Sequence, residues 1–156
     1  MATRRHWLVK SEPGTYSIED LERDGKTCWE GVRNYQARNF LREMKVGDAL
    51  LFYHSSANPP GVVGLAEVVR EAYPDHFAWD ERSPYHDPRS TEDDPVWYMV
   101  DVGFVERFPE PLPLPELKKD PALEGMELLR RGSRLSVQPV SKAHFDHIVK
   151  LARRRS

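Results

Sequence analysis

The chain has 156 residues, 23 basic and 25 acidic side chains and a formal net charge of −2, which fits one domain spanning 1–156 and argues against a protein that coats nucleic acid by bulk electrostatics. Cys28 is the only cysteine, so an intrachain disulfide and a cysteine-based zinc cluster are excluded, and a reducing, cytoplasmic setting is the expectation. The apolar run after the first arginines is too short for a signal peptide, and no stretch approaches the roughly 18 apolar residues of a membrane span.

His6 to Lys10 (HWLVK) predicts a short first strand, closed by Ser11, Glu12, Pro13 and Gly14. Ser17 then offers an N-cap hydroxyl with Asp20 three residues on, and Gly25 stands where a glycine would end a helix of about two turns. Next comes WEGVRNYQARNF, Trp29 to Phe40, which crowds three aromatics, two arginines and several amides into one stretch. From Asn34 to Met44 the apolar or aromatic residues at 37, 40, 41 and 44 keep the spacing of one helical face, with Arg38 and Arg42 on another side. Tyr35 and Phe40 are assigned to packing. After a turn at Gly47 and Asp48, ALLFYHS (Ala49 to Ser55) predicts a buried strand and GVVGLAEVV (Gly61 to Val69) the next.

The segment from Tyr73 to Pro95 is proline-rich, acidic and nearly free of aliphatic residues, and a loop of that length is either functional or poorly ordered. VWYMVDVGFVERF (Val96 to Phe108) alternates as a long strand, and Pro109, Pro111, Pro113 and Pro115 are expected to forbid regular pairing beyond it. Short helices are predicted around Leu114 to Lys118 and Met126 to Arg130. RLSVQPV (Arg134 to Val140) makes a last strand stopped by Pro139, and Ser141 caps a C-terminal helix to about Arg153. Charge is uneven along this order. Arg130 to Ser156 carries eight Lys or Arg against one Asp, an excess of +7, whereas Asp80 to Asp94 carries six acids against two arginines, a local −4. Such runs point to a basic and an acidic side, or to solvated faces.

No nucleophile elbow, phosphate loop, dinucleotide fingerprint or HExxH motif occurs, so no catalytic residue, cofactor or metal is expected. Of the six histidines, His144 and His147 alone share helical spacing, without a third ligand nearby. His86 beside Asp87 would serve as an acid/base pair or as part of a solvated loop. His54 and Ser55 end an apolar strand, where a structural hydrogen bond and a pocket wall are both open.

Trp29 precedes a Glu, a Gly and a helix start, so its ring suits either the core or a ligand platform at a cavity edge. Asn34 is an ordinary N-cap, or an amide offered to a base edge or anion at a positive helix end. Lys10 and Ser11 are turn residues or strand-end ligand contacts. Arg33, Arg38 and Arg134 are candidates for phosphate contact, against a solvated surface.

KSEP (Lys10 to Pro13), YSIEDL (Tyr16 to Leu21), WEGVRNYQARNFLREM (Trp29 to Met44), GDALLFYHS (Gly47 to Ser55), GVVGLAEVV, EAYPD (Glu71 to Asp75) and GSRLSVQPV (Gly132 to Val140) together resemble the EVE domain family, in order and over nearly the whole chain. The resemblance implies an α+β, PUA-like fold, a curved and mostly antiparallel β-barrel with surrounding short helices, related to YTH and ASCH domains. It also implies a non-catalytic module that reads a modified nucleobase in an aromatic-walled pocket, on DNA or RNA, with any effector supplied by a separate protein. Carried onto this chain, Trp29 resembles the cage tryptophan and Lys10 with Ser11 the strand-end pair. Asn34, Tyr53, His54, Ser55 and the segment of Arg134, Leu135 and Ser136 would line the other walls. Tyr73, Trp79, Trp97 and Tyr98 are candidates for a second aromatic wall. Rival readings are an enzyme acting on a nucleotide or modified base, and a small-metabolite or protein-interaction module on the same fold.

Overall fold

The computed structural model describes residues 4–133 and 135–154. The middle of β1 (His6–Ser11), Trp7 to Val9, and nearly all of β3 (Ala49–His54) are apolar because both faces of these stretches are covered. Trp7, Val9, Leu50 and Phe52 belong to one core, and the alternate residues Leu8, Leu51 and Tyr53 to a second. The two strands run parallel, His6 opposite Ala49 and Ser11 opposite His54, so their ends meet at one edge of the sheet.

α1 (Ile18–Asp24) and α2 (Tyr35–Glu43) fill the first core through Ile18, Leu21, Ala37 and Leu41. Their starts are set as the sequence indicates. Ser17 and Asp20 form a reciprocal capping box, and Asn34 Oδ1 accepts from the Ala37 N–H at 2.9 Å. On the other side, α3 (Leu114–Lys118) and α4 (Lys142–Arg154) bury Leu117, Phe145, Ile148 and Ala152 in the second core. With β2 (Lys26–Cys28), β4 (Gly61–Pro74), β5 (Tyr98–Pro113) and β6 (Val137–Val140), the strands form one six-stranded sheet in the order β2-β5-β4-β3-β1-β6. All pairs except β1 with β3 are antiparallel.

The α+β class holds, with short helices around a mostly antiparallel sheet. The expected closure into a barrel does not: among the described residues the order ends at β2 and β6, so the sheet is open. Three further expectations are corrected. β5 continues through Pro109 and Pro111 to Pro113, because the ladder steps from Val62 opposite Leu112 to Gly64 opposite Arg107. The intervening prolines sit in the resulting bulge, where their missing N–H is not needed. β6 begins at Val137 rather than Arg134 and runs past Pro139, which an edge strand tolerates. Of the long acidic segment, Tyr73 and Pro74 lie in β4 and His76–Trp79 forms a 3-10 turn; helix is also limited to 3-10 turns at Pro121–Leu123 and Glu127–Leu129. Among the described residues no helix is long and apolar enough to cross a membrane.

One buried carboxylate joins the start of β1 to the turn before β3. Asp48, 3% exposed, accepts from the backbone N–H of Arg5 (3.1 Å) and Lys45 (3.0 Å) and from the Trp7 indole (3.0 Å). Asp48→Ala strands these donors and is expected to lower stability by about 2–4 kcal/mol. The urea midpoint should fall at an unchanged m-value, and a shift too small to resolve would mean that these bonds are dispensable.

Candidate functional site

A cavity of about 400 Å³ opens where β1 and β2 end, and Tyr16, Trp29 and Tyr85 put three aromatic rings on its lining. Each wall is placed by its own local chemistry. Beyond the end of β2, the Trp29 N–H donates to the Val100 carbonyl at 2.7 Å. The indole meets Phe52 edge-on, ring centroids 5.5 Å apart, and is 8% exposed. Trp29 is therefore both core and cavity wall, so the two readings of its sequence context are not alternatives.

The strand-end pair Lys10 and Ser11 forms a second wall. The Lys10 N–H donates to the Ser136 carbonyl (2.9 Å), and the Ser11 hydroxyl donates to the Tyr16 carbonyl (2.6 Å). Ser136 comes into the cavity because Gln138 Nε2 donates to the Leu135 carbonyl (2.8 Å), holding the turn before β6 against β1. Burial holds the Lys10 pKa below its ordinary value, and its ammonium lies 5.8 Å from the Tyr53 ring centroid.

The third wall, Gly31 to Arg33 with Tyr85, depends on Asp75. This carboxylate has no solvent exposure and accepts from Gly31 N–H (2.9 Å), Arg33 Nη1 (3.0 Å) and Phe77 N–H (3.0 Å). Arg33 also donates to the Tyr85 carbonyl from Nη2 (2.6 Å) and Nε (3.2 Å). The acidic segment is thereby fastened over the site. Its far end is closed by Asp87, which accepts from the Trp97 indole at 2.8 Å. Gly31 has φ +84°, and a Cβ there would stand 2.6 Å from the Tyr85 ring, so only glycine lets the ring lie against this turn.

Charge inside the cavity is mixed. Glu12 and Glu30 bring carboxylates beside Lys10 and the paired Arg33. The Cys28 thiol, whose hydrogen bond to Glu30 spans 3.3 Å, is pushed up to about 12, first by burial and then by Glu30. Burial, with the hydrogen bond to Asp24, also raises the Tyr16 phenol to about 12. At neutral pH the cavity thus offers a protonated thiol and phenol rather than nucleophiles.

Of the residues singled out in the sequence, Lys10, Ser11, Trp29, Arg33 and Ser136 meet in this cavity. The others are placed elsewhere. Asn34 caps α2. Tyr53 and Ser55 line a separate depression that shares Lys10. His54 is buried, and its Nε2 accepts from the Ile18 N–H at 3.1 Å, so it caps the start of α1; burial lowers its pKa. Leu135 packs in the first core. Arg38 donates to the Val96 carbonyl and to Asn39 Oδ1, tying α2 to the segment before β5. Arg134 lies outside the described residues.

None of the four proposed second aromatics lines the cavity. The Tyr73 hydroxyl donates to Asp101. Trp97 is buried under Tyr35, which is 52% exposed rather than packed in the core. Tyr98 lies under Arg42, and the Trp79 indole is turned into the interior. Tyr85 takes the place assigned to them. Nothing local to Tyr85 marks it, since its links to the Trp29 motif, the hydrogen bonds from Arg33 and the packing on Gly31, span 52 residues or more. Of the acid/base pair His86 and Asp87, Asp87 is paired with Arg89 (2.9 Å); of the two histidines at helical spacing, His147 meets Asp120 (2.7 Å). Among the described residues no His, Cys, Asp and Glu cluster could hold a metal.

A family model, the EVE domain, matches residues 5–151. Thymocyte nuclear protein 1 of Homo sapiens is 47% identical over 165 residues, covering 94% of this chain and 73% of the human protein. A hypothetical protein of Leishmania major superposes with a TM-score of 0.95 at 48% identity, over 98% of this chain and 97% of that one. The human THYN1 protein, solved in complex with DNA containing 5-methylcytosine, gives a TM-score of 0.88 at 46% identity over 95% and 97% of the two chains.

Asp75→Ala leaves Arg33 half-buried without its partner and is expected to cost about 3–5 kcal/mol, with residues 76–97 gaining hydrogen exchange; protection there equal to the parent would refute the anchoring role. Gly31→Ala should displace the Tyr85 ring. Combined with Tyr85→Ala in urea denaturation, it should then cost less than the two single changes summed, and strict additivity would show that the two do not touch.

Proposed function

The chain belongs to the EVE domain family, and on that premise we propose that it is a non-catalytic reader of a modified base, binding DNA that carries a modified cytosine and seating the extruded base in the Trp29 cavity. The observation that carries this reading is the cavity itself, in which Trp29 and Tyr85 stand with Lys10, Ser11 and Glu30. A chain 46% identical to this one has been solved with 5-methylcytosine DNA.

The chemistry fits the task. An extruded base needs a flat partner for its face and hydrogen-bonding groups for its edge. Trp29 and Tyr85 offer the flat surfaces. For the edge, the Glu30 carboxylate suits an exocyclic amine such as the cytosine N4 group, and the Ser11 hydroxyl oxygen, whose proton goes to the Tyr16 carbonyl, keeps lone pairs that suit a base N–H. A volume of about 400 Å³ lies within the range of small-ligand sites. Because the thiol and phenol in the cavity stay protonated, recognition without turnover is the simpler use of these groups. Any step after recognition would fall to a separate effector protein, in the cytoplasm or another reducing setting.

The test is a panel of duplexes with unmodified, methylated or hydroxymethylated cytosine, alongside RNA bearing the same bases. The protein is expected to prefer a modified duplex over its unmodified control. Loss of a stacking ring is worth about 1–3 kcal/mol, so Tyr85→Ala, at a half-buried position, should weaken that binding about 5- to 150-fold while the protein stays folded. Trp29→Phe, which keeps a ring in the core, should weaken it less than Tyr85→Ala. Equal affinity for every cytosine form, or Tyr85→Ala binding like the parent, would defeat the reading.

A further inference from the structure

Lys10 lines two cavities. Beyond the one that holds Trp29 lies a wider groove of about 710 Å³, to which α3 and the chain from Leu128 to Ser133 contribute. Among the described residues its lining includes Lys10, Lys118, Arg130 and Arg131 and no carboxylate. Lys118 and Arg131 are exposed and have no ion-pair partner among the described residues, and the exposed Arg130 pairs at 3.3 Å with Glu127, which is partly buried and also accepts from the Ser133 hydroxyl. Two of the three arginines that the sequence offered for phosphate contact are held differently. Arg33 is bound to Asp75 and the Tyr85 carbonyl, and Arg38 to the Val96 carbonyl and Asn39.

We infer that this groove carries the phosphate backbone of the nucleic acid whose base enters the Trp29 cavity. The inference rests on the reading above and adds to it which cations bind the phosphodiester chain and on which side of the pocket they lie. Three observations place it there. The shared Lys10 makes the two cavities neighbours. Ser133 in the groove and Ser136 in the base cavity are three residues apart, at most about 10 Å of chain, so a phosphate close to the extruded nucleotide falls within the groove's reach. The opposite flank, which carries Tyr85, is the acidic stretch from Asp80 to Asp94, where a phosphate would be repelled.

A rival basic patch exists. Arg4, Lys150 and Arg154 line a third depression, but Arg4 precedes β1 whereas Lys10 lies near its far end. Six residues of extended chain put these about 20 Å apart, too far for the phosphates next to the base. Contacts to phosphate position a duplex without reading it, so the groove should contribute affinity common to all sequences and leave discrimination to the Trp29 cavity.

The experiment compares the full chain with Lys118→Ala/Arg131→Ala, Lys118→Arg/Arg131→Lys and Lys150→Ala/Arg154→Ala on duplexes with and without one 5-methylcytosine, over a range of salt. The groove double variant should bind both duplexes more weakly by the same factor, with the slope of log affinity against log salt shallower by about 1.8 for two lost contacts. The charge-conserving pair should restore the slope, and the distal pair should leave it unchanged. If the parent prefers the methylated duplex but the groove variant keeps the full slope, or the distal pair lowers it instead, the groove assignment falls and the base reading stands. If the parent shows no preference and the groove variant still loses slope, the groove stands without the reader. No DNA binding by the parent at low salt overturns both.

Discussion

The Asp75 carboxylate is the constraint on which the site depends. It is fully buried and accepts from Gly31, Arg33 and Phe77. A buried charge of this kind is stable only when paired and fully hydrogen-bonded. Arg33 must therefore turn inward, which brings its remaining donors to the Tyr85 carbonyl. The Gly31 N–H must face the carboxylate, and the turn that achieves this has φ +84° and no side chain against the Tyr85 ring. One ion pair thus fastens a polar, proline-rich segment that has little apolar surface of its own, and converts it into a cavity wall.

The sheet supplies the complementary half. Because β1 and β3 run parallel, Ser11 and His54 end at the same edge, and the segment before β6 is drawn in by the bond from Lys10 N–H to the Ser136 carbonyl. Backbone groups do most of this positioning, and Ser11, Lys10 and Glu30 line the cavity beside Trp29. A ring such as Trp29 can belong to both core and site because its packing against Phe52 holds it rigidly at the rim. Rigid flat surfaces lose little freedom when a planar ligand stacks on them, which suits selection among closely similar bases.

Elements that depend on neighbours in sequence are legible in the chain itself. The α1 capping box and the Asn34 cap can be read because the groups that meet are three residues apart. The doubly buried β3 can be read because an unbroken apolar run has no exposed face to declare. Prolines mislead where their effect depends on the partner strand: Pro109 and Pro111 look like breaks, yet they occupy a bulge whose existence requires β4 beside them. The arginines mislead for a related reason. Arg33 and Arg38 look like surface cations until Asp75 and the Val96 carbonyl are brought against them from 42 and 58 residues away.

By itself, then, the sequence determined the class of the fold, the caps and cores of its main elements, the family, and the cluster of Lys10, Ser11 and Trp29 at the heart of the candidate site. Those properties rest on local spacing and on residues whose chemistry is conspicuous where it stands. Only the tertiary structure decided that the Tyr85 ring joins the cavity wall, that His54 serves the start of α1, that the sheet stays open, and which cations are left unpaired beside the pocket. Each of these depends on which distant groups share a buried hydrogen bond or charge, and a linear pattern does not record that pairing.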